Sequence, residues 1–194
     1  MNAQFENELN QTYAYKRSNT WNIENSASIY GINNWGNGYF RINQSGNVSV
    51  SPRGNNGPQV DLFELTQELQ NRGIRIPILI RFPDIIRERV ELLSSCFKKA
   101  FADHNYKADY FGVYPSKVNQ QRHLVQELVK FGRDCKLGLE CGSKPELLVV
   151  LSLMNTPNAV ITCNGFKDAE YIETALLAQK LGREILIVVD RKEE

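Results

Sequence analysis

The feature that most constrains the fold is the alternation of short apolar runs with longer amphipathic segments from Asp61 onward. Runs this uniformly apolar are typical of parallel strands that helices cover on both faces. The predicted strands are IPILIRF (76–82), DYFGVYPS (109–116), KLGLEC (136–141), AVITCN (159–164) and EILIVVD (184–190). Because amphipathic segments separate them, the pattern predicts repeated βα units and an α/β fold.

The helices between these strands carry their own start and stop signals. Residues 61–73 open on Asp61 with Glu64 three residues later, which is the spacing of a capping box, and they close on Gly73. The segment 84–104 places apolar residues on one stripe, as an amphipathic helix does. Further helices are predicted at 120–132, 144–154 and 168–182.

Two α/β architectures fit this alternation of strands and helices. A doubly wound sheet needs only the five predicted strands, whereas a closed (β/α)8 barrel needs eight. The last predicted strand, 184–190, has no helix after it, so we expect the chain to be a piece of a longer protein. The strand rhythm alone leaves both architectures open.

The amino-terminal third differs in amino-acid composition and in its predicted elements. Residues 1–29 are rich in Asn, Gln, Ser and Glu, and we expect a polar, partly ordered arm. In residues 30–58, two β-prone runs, GYFRIN (38–43) and VSVSP (48–52), flank a turn that contains glycine, which predicts a small β-hairpin element. The α/β region is then expected to occupy residues 59–194.

Composition excludes several classes of function. The net charge of +1 offers no basic excess for nucleic acid. The four cysteines form no CxxC pair and the only histidines are His104 and His123, so we expect no metal site built from these residues. No apolar run approaches the length of a membrane span, and reduced cysteines are typical of the cytoplasm, where we expect this protein to be.

Lys117 is the candidate for chemistry. It follows the strand predicted at 109–116, and α/β proteins place their active sites at the carboxyl ends of parallel strands. Apolar surroundings, which we expect here, would keep its amine uncharged and able to react with a carbonyl group. A lysine that only extends into solvent from a strand end is the alternative, and composition alone favours that alternative.

Three sequence blocks bear on this choice: YFGVYPSKVNQ (110–120), GLECGSKPEL (138–147) and VITCNGFKDAEYI (160–172). In order and spacing they resemble signature blocks of the biosynthetic arginine decarboxylases, which are fold-type-III pyridoxal-phosphate enzymes. The resemblance implies the amino-terminal part of an alanine-racemase-like (β/α)8 barrel, about five parallel strands with their helices, in residues 59–194. It assigns the hairpin element of residues 30–58 to the family's β domain.

The same resemblance implies a site and a reaction. Lys117 would form the Schiff base with pyridoxal 5'-phosphate, Asn119 would fix the loop, and Glu140 would orient the lysine. A helix cap and a solvated acid are the alternatives for Asn119 and Glu140. The implied reaction converts L-arginine to agmatine and CO2 in polyamine (spermidine) biosynthesis, in a full-length homo-oligomer, and the family also allows for Mg2+.

Other functions stay open at this point. Another fold-type-III amino-acid decarboxylase or a racemase would use the same lysine chemistry, and a non-catalytic pyridoxal-phosphate-binding barrel would keep the lysine without turnover. Family features that grip the cofactor's phosphate and ring nitrogen are missing from the 194 residues. We therefore expect the chain alone to bind the cofactor poorly and to be inactive.

Overall fold

The computed structural model describes residues 21–54 and 57–190. The chain divides into two compact units, Met1–Ile80 and Arg81–Glu194. Most of the polar arm expected at residues 1–29 lies outside the described residues. Its last seven residues form a helix, Ile23–Ile29, which begins because the side chain of Asn22 accepts a hydrogen bond from the backbone N–H of Asn25.

The first unit contains the predicted hairpin. Its described elements are helices α1 (Ile23–Ile29), α2 (Ile32–Trp35) and α3 (Leu62–Asn71), and strands β1 (Phe40–Ile42), β2 (Val48–Val50) and β3 (Val60–Asp61). Strands β1 and β2 pair antiparallel, with Phe40 opposite Val50 and Ile42 opposite Val48, which confirms the hairpin. The sequence pattern missed β3, which adds antiparallel to β2 and is only two residues long.

Asp61 joins this sheet to helix α3. One carboxylate oxygen accepts hydrogen bonds from the backbone N–H groups of Phe63 and Glu64, which confirms the predicted helix start. The other oxygen accepts hydrogen bonds from the side-chain amides of Asn43 (2.6 Å) and Asn47 (2.9 Å). The bond from Asn47 is the largest influence that holds the pKa of Asp61 below its usual value of 3.8, and the four bonds together outweigh the opposing effect of burial.

This lowered pKa predicts a pH-dependent contribution to stability. Replacing Asp61 with Asn should lower the midpoint of thermal unfolding near neutral pH, because the ionised carboxylate binds four donors in the fold. The difference between the two proteins should shrink as the pH falls below the usual value of 3.8 and through the lowered pKa of Asp61, where the folded carboxylate becomes protonated. Tryptophan fluorescence can report the transition, since both tryptophans, Trp21 and Trp35, lie in the first unit. A difference that stays constant down to acid pH would contradict this account.

The second unit contains the α/β repeat. Its described elements are α4 (Pro83–Asp103), β4 (Val113–Pro115), a 3₁₀ turn (Ser116–Val118), α5 (Arg122–Phe131), β5 (Gly138–Cys141), α6 (Lys144–Leu153), β6 (Val160–Cys163), α7 (Ala169–Lys180) and β7 (Glu184–Ile187). In the described residues the strands form one parallel sheet in the order β4-β5-β6-β7. This order advances in one direction, as in a (β/α)8 barrel, and does not reverse as in a doubly wound sheet. The fold is a partial barrel of the TIM type.

One predicted strand is absent from the sheet. Residues 74–82 form neither helix nor strand, so the described part of the chain has four parallel strands where the sequence predicted about five. Ile76 and Leu79 are 60% and 74% exposed, and Pro77 has no backbone N–H to donate to a neighbouring strand. Apolar character alone could not tell this exposed segment from a buried strand.

The core of the second unit lies between the sheet and its helices. Alternate residues of β5, Leu139 and Cys141, are fully buried, and Ile161 and Cys163 repeat this pattern on β6. They pack with fully or almost fully buried residues of the covering helices, among them Leu147, Val150, Tyr171 and Ala175. Glu140, between the two buried residues of β5, therefore projects from the opposite face of the sheet.

Candidate active site

Strand register brings the two charged candidate residues together. The last residue of β4, Pro115, lies opposite Glu140 of β5, and the 3₁₀ turn that follows β4 carries Lys117. The Nζ atom of Lys117 is 3.4 Å from Oε1 of Glu140. Because both strands are parallel, this ion pair lies at the carboxyl edge of the sheet, where barrel enzymes place their active sites.

The surroundings of Lys117 differ from the expectation. Its side chain is 66% exposed, so the described residues do not form the apolar enclosure expected around the amine. The physical reason is the position of β4 at the edge of the sheet: only β5 flanks it in the described structure. Glu140 is better covered, with 19% of its side chain exposed, and this carboxylate faces the accessible amine.

Asn119 holds the loop that leads into helix α5. Its side-chain oxygen accepts a hydrogen bond from the backbone N–H of Gln121, the residue before the helix begins (3.0 Å). Its backbone carbonyl accepts a hydrogen bond from the hydroxyl of Tyr114 (3.3 Å). Burial raises the pKa of Tyr114 above its usual 10.0, and this hydrogen bond opposes the rise only in part. These two hydrogen bonds connect Asn119 to Gln121 in its own loop and to Tyr114 on β4.

Glu146, which we did not predict as part of the site, organises the same edge. Its carboxylate accepts hydrogen bonds from the backbone N–H of Gly142 (2.6 Å), the hydroxyl of Ser116 (3.3 Å) and the side-chain amide of Gln120 (3.0 Å). The capping-box spacing of Ser143 and Glu146 correctly marks the start of helix α6. It could not reveal Ser116 and Gln120 as partners, because these residues are 30 and 26 positions away.

The loops after β5 and β6 meet closely at this edge. A Cβ atom at Gly165, whose φ is +97°, would lie 2.5 Å from the carbonyl oxygen of Gly142, so only glycine fits there. Beside it, the side chain of Lys167 is 4% exposed and its Nζ atom donates to the carbonyl of Gly165 (2.6 Å). Asp190, beyond β7, lies 3.6 Å from the same Nζ atom. Through Lys167, these contacts connect the loop after β6 to the segment after β7.

Two cysteines lie beneath the edge, on the helix-facing side. Cys141 and Cys163 occupy matching positions on β5 and β6, their sulfur atoms are 3.8 Å apart, and both thiols are free. The hydroxyl of Tyr171 donates to the carbonyl of Cys141 (2.8 Å). A hydrogen bond between the thiols raises the pKa of Cys141 and lowers that of Cys163. Both are fully buried in the core and are not part of the Lys117 site.

Within residues 21–54 and 57–190, no group of three or more His, Cys, Asp or Glu side chains could hold a metal ion. None of the helices in this described part combines the length and apolar character that a bilayer span requires.

Comparison with known proteins identifies the family. Residues 87–194, more than half of the chain, match the family model described as "Pyridoxal-dependent decarboxylase, pyridoxal binding domain". The chain belongs to the pyridoxal-dependent decarboxylases. The matched region contains Lys117, Glu140 and Glu146, so the edge described above lies within this family's pyridoxal binding domain.

Named relatives of this decarboxylase domain are similar over most of its length. The biosynthetic arginine decarboxylases of Gloeobacter violaceus and Nostoc sp. are 53% and 51% identical over 90% and 91% of the chain, which covers 27% and 26% of their own length. The crystal structure of the biosynthetic arginine decarboxylase SpeA from Campylobacter jejuni matches with a TM-score of 0.74 and 38% identity, over 83% of this chain and 27% of that one. The chain therefore spans about a quarter of the length of these relatives.

Proposed function

We propose that this chain is the pyridoxal-binding part of an enzyme that decarboxylates L-arginine to agmatine and CO2, a step toward spermidine and other polyamines. The observation that carries the proposal is the Lys117–Glu140 pair at the carboxyl edge of the sheet, inside the matched family domain. The names of the relatives support arginine as the substrate. We also propose that the full-length enzyme is cytoplasmic and homo-oligomeric and that it uses Mg2+ as an accessory ion.

The residues at this edge fit pyridoxal phosphate. A primary amine that is 66% exposed can reach a carbonyl carbon, so Lys117 is the residue that would hold the cofactor's aldehyde. When bound, pyridoxal phosphate supplies an electron sink for the charge that remains as CO2 leaves an amino acid.

Glu140 and Asn119 would support this lysine in different ways. Glu140, whose Oε1 atom lies 3.4 Å from Nζ, would orient the amine. Asn119 would contribute by keeping the loop after Lys117 in place through its hydrogen bond to Gln121. We also propose that Asn119 and Glu140 contact the cofactor directly.

Borohydride reduction in the presence of pyridoxal phosphate tests the proposal. The full-length polypeptide that carries this sequence should retain a covalent label on Lys117 alone, found by peptide mapping, because reduction fixes the cofactor to the amine that holds it. A portion of the same preparation kept unreduced should release CO2 from arginine and form agmatine when it is offered arginine, ornithine, lysine and diaminopimelate.

The other possible outcomes of this experiment would indicate different functions. A label on another lysine contradicts the assignment of Lys117. Labelling with preferential turnover of ornithine or diaminopimelate indicates a different fold-type-III decarboxylase, and conversion of an L-amino acid to its D-form indicates a racemase. Labelling without turnover of any amino acid indicates a non-catalytic pyridoxal-phosphate-binding barrel. We expect the 194-residue chain alone to give little label and no agmatine.

A further inference from the structure

The carboxylate of Glu146 connects two loops that carry different parts of the site. Ser116 and Gln120, which donate to it, lie on either side of Lys117 in the loop after β4. Gly142, the third donor, lies two residues after Glu140 in the loop after β5. Both carboxylate oxygens are used, Oε1 by Gln120 and Oε2 by Ser116 and Gly142.

These contacts exceed what a helix cap requires. In a capping box, the third helical residue bonds back to the backbone N–H of the N-cap, which here would be Ser143. Glu146 instead bonds to Gly142, outside the helix, and to side chains of the preceding βα loop. Ser116 is only 5% exposed, so its hydroxyl depends on Glu146 and not on bulk water for its hydrogen bond.

The Lys117–Glu140 pair needs such support. Ion pairs with an exposed partner contribute little on their own, because water screens them and long side chains lose freedom when they are held. Lys117 is 66% exposed, so its attraction to Glu140 cannot fix the position of the loop that carries it. Glu146 joins the segments next to both members of the pair, and its hydrogen bonds with Ser116 and Gly142 are partly buried.

We infer that Glu146 is a positioning residue for Lys117: by tying the Ser116–Gln120 loop to Gly142, it sets the geometry in which Lys117 meets Glu140 and the cofactor. The inference rests on the proposed function, in which Lys117 holds pyridoxal phosphate. Hydrogen-bond acceptance by the side chain is what this role requires. Glutamine has the same length and can keep most of these bonds if the amide of Gln120 turns over, whereas alanine loses them all.

The test compares variants in the full-length polypeptide, by titration with pyridoxal phosphate and by borohydride labelling of Lys117. Glu146→Ala should weaken cofactor binding at Lys117 by about 10-fold to 100-fold, as expected when a reacting group is displaced by an ångström or so. Glu146→Gln should stay within about threefold of the unmodified protein. Glu127→Ala is the matched control, since Glu127 is a carboxylate on α5 that pairs with Lys130 and should have no effect.

A second variant covers the risk that Glu146→Ala unfolds the loop. Glu146 lines a cavity of about 200 Å³ that Val125 and Val149 also line, so alanine would enlarge it. Gln120→Ala removes only an exposed donor and should weaken cofactor binding by about threefold without loss of the fold. Unchanged cofactor binding in a folded Glu146→Ala variant, or in Gln120→Ala if the former unfolds, would overturn the inference. Equal losses for Glu146→Gln and Glu146→Ala would also overturn it, since charge and not acceptance would then matter.

Hydrogen exchange separates this inference from the proposed function. Without any cofactor, the backbone amide of Gly142 and those of residues 116–120 should exchange at least about 10-fold faster in Glu146→Ala than in Glu127→Ala. If the unmodified protein carries no label on Lys117, the proposed function fails whatever the exchange rates show. If it carries the label and the exchange rates do not differ between the variants, Glu146 does not position the loop.

Discussion

Replacing Lys117 with alanine should lower the rate of agmatine formation by the full-length polypeptide by about 10³-fold or more, with the fold unchanged. The large effect is expected because the amine is proposed to hold the cofactor's reactive carbon, and an alanine side chain offers no nucleophile. The fold should survive because the side chain is 66% exposed and its ion pair with Glu140 contributes little stability. Initial rates with arginine and thermal unfolding of the same preparations provide both measurements.

Lys130 offers a closely matched control for this experiment. Its side chain is 65% exposed, and its Nζ atom lies 3.5 Å from a carboxylate oxygen of Glu127, much as Lys117 lies 3.4 Å from Glu140. It lies on helix α5, however, and not at the carboxyl edge of the sheet. Lys130→Ala should therefore keep the unmodified rate. Comparable activity in the Lys117 and Lys130 variants would show that Lys117 takes no part in the reaction.

The second large effect concerns stability. Replacing Leu147 with alanine should lower the free energy of unfolding by about 2–5 kcal/mol, because the side chain is fully buried and its loss leaves a cavity in the core. Leu148, the next residue on the same helix, is 53% exposed, and its replacement should change stability by no more than about 0.5 kcal/mol. Urea unfolding followed by circular dichroism measures both. Equal losses would mean that helix α6 packs through a different face.

The helices and most strands of residues 61–190 could be predicted because their signals are local. Asp61 and Ser143 start helices α3 and α6 with side-chain hydrogen bonds to N–H groups within three residues, and such spacing is visible in the sequence. The position of Lys117 beyond the end of β4 followed from the same local pattern. The family resemblance then selected the barrel, and the one-directional strand order and the family match bear it out.

The remaining features depend on contacts between distant parts of the chain. Strand β3 exists because its two residues pair with β2, whereas the more apolar segment 76–82 pairs with no strand in the described part of the chain. The exposure of Lys117 depends on how many strands flank β4, which no local pattern records. Glu146 meets Ser116 only after two βα units have packed side by side. The roles of Lys117, Asn119 and Glu140 toward a cofactor are still predictions.

The one-to-one alignment of β4 with β5 limits how such a site can change by insertion or deletion. Successive residues of a strand face opposite sides of the sheet. One extra residue in β5 ahead of Glu140 would therefore turn this carboxylate toward the helices and place an apolar side chain beside Lys117. An extra residue in the turn at 132–137, before β5 begins, would leave the alignment intact. The turn before β5 can therefore vary in length while the acid stays beside the amine.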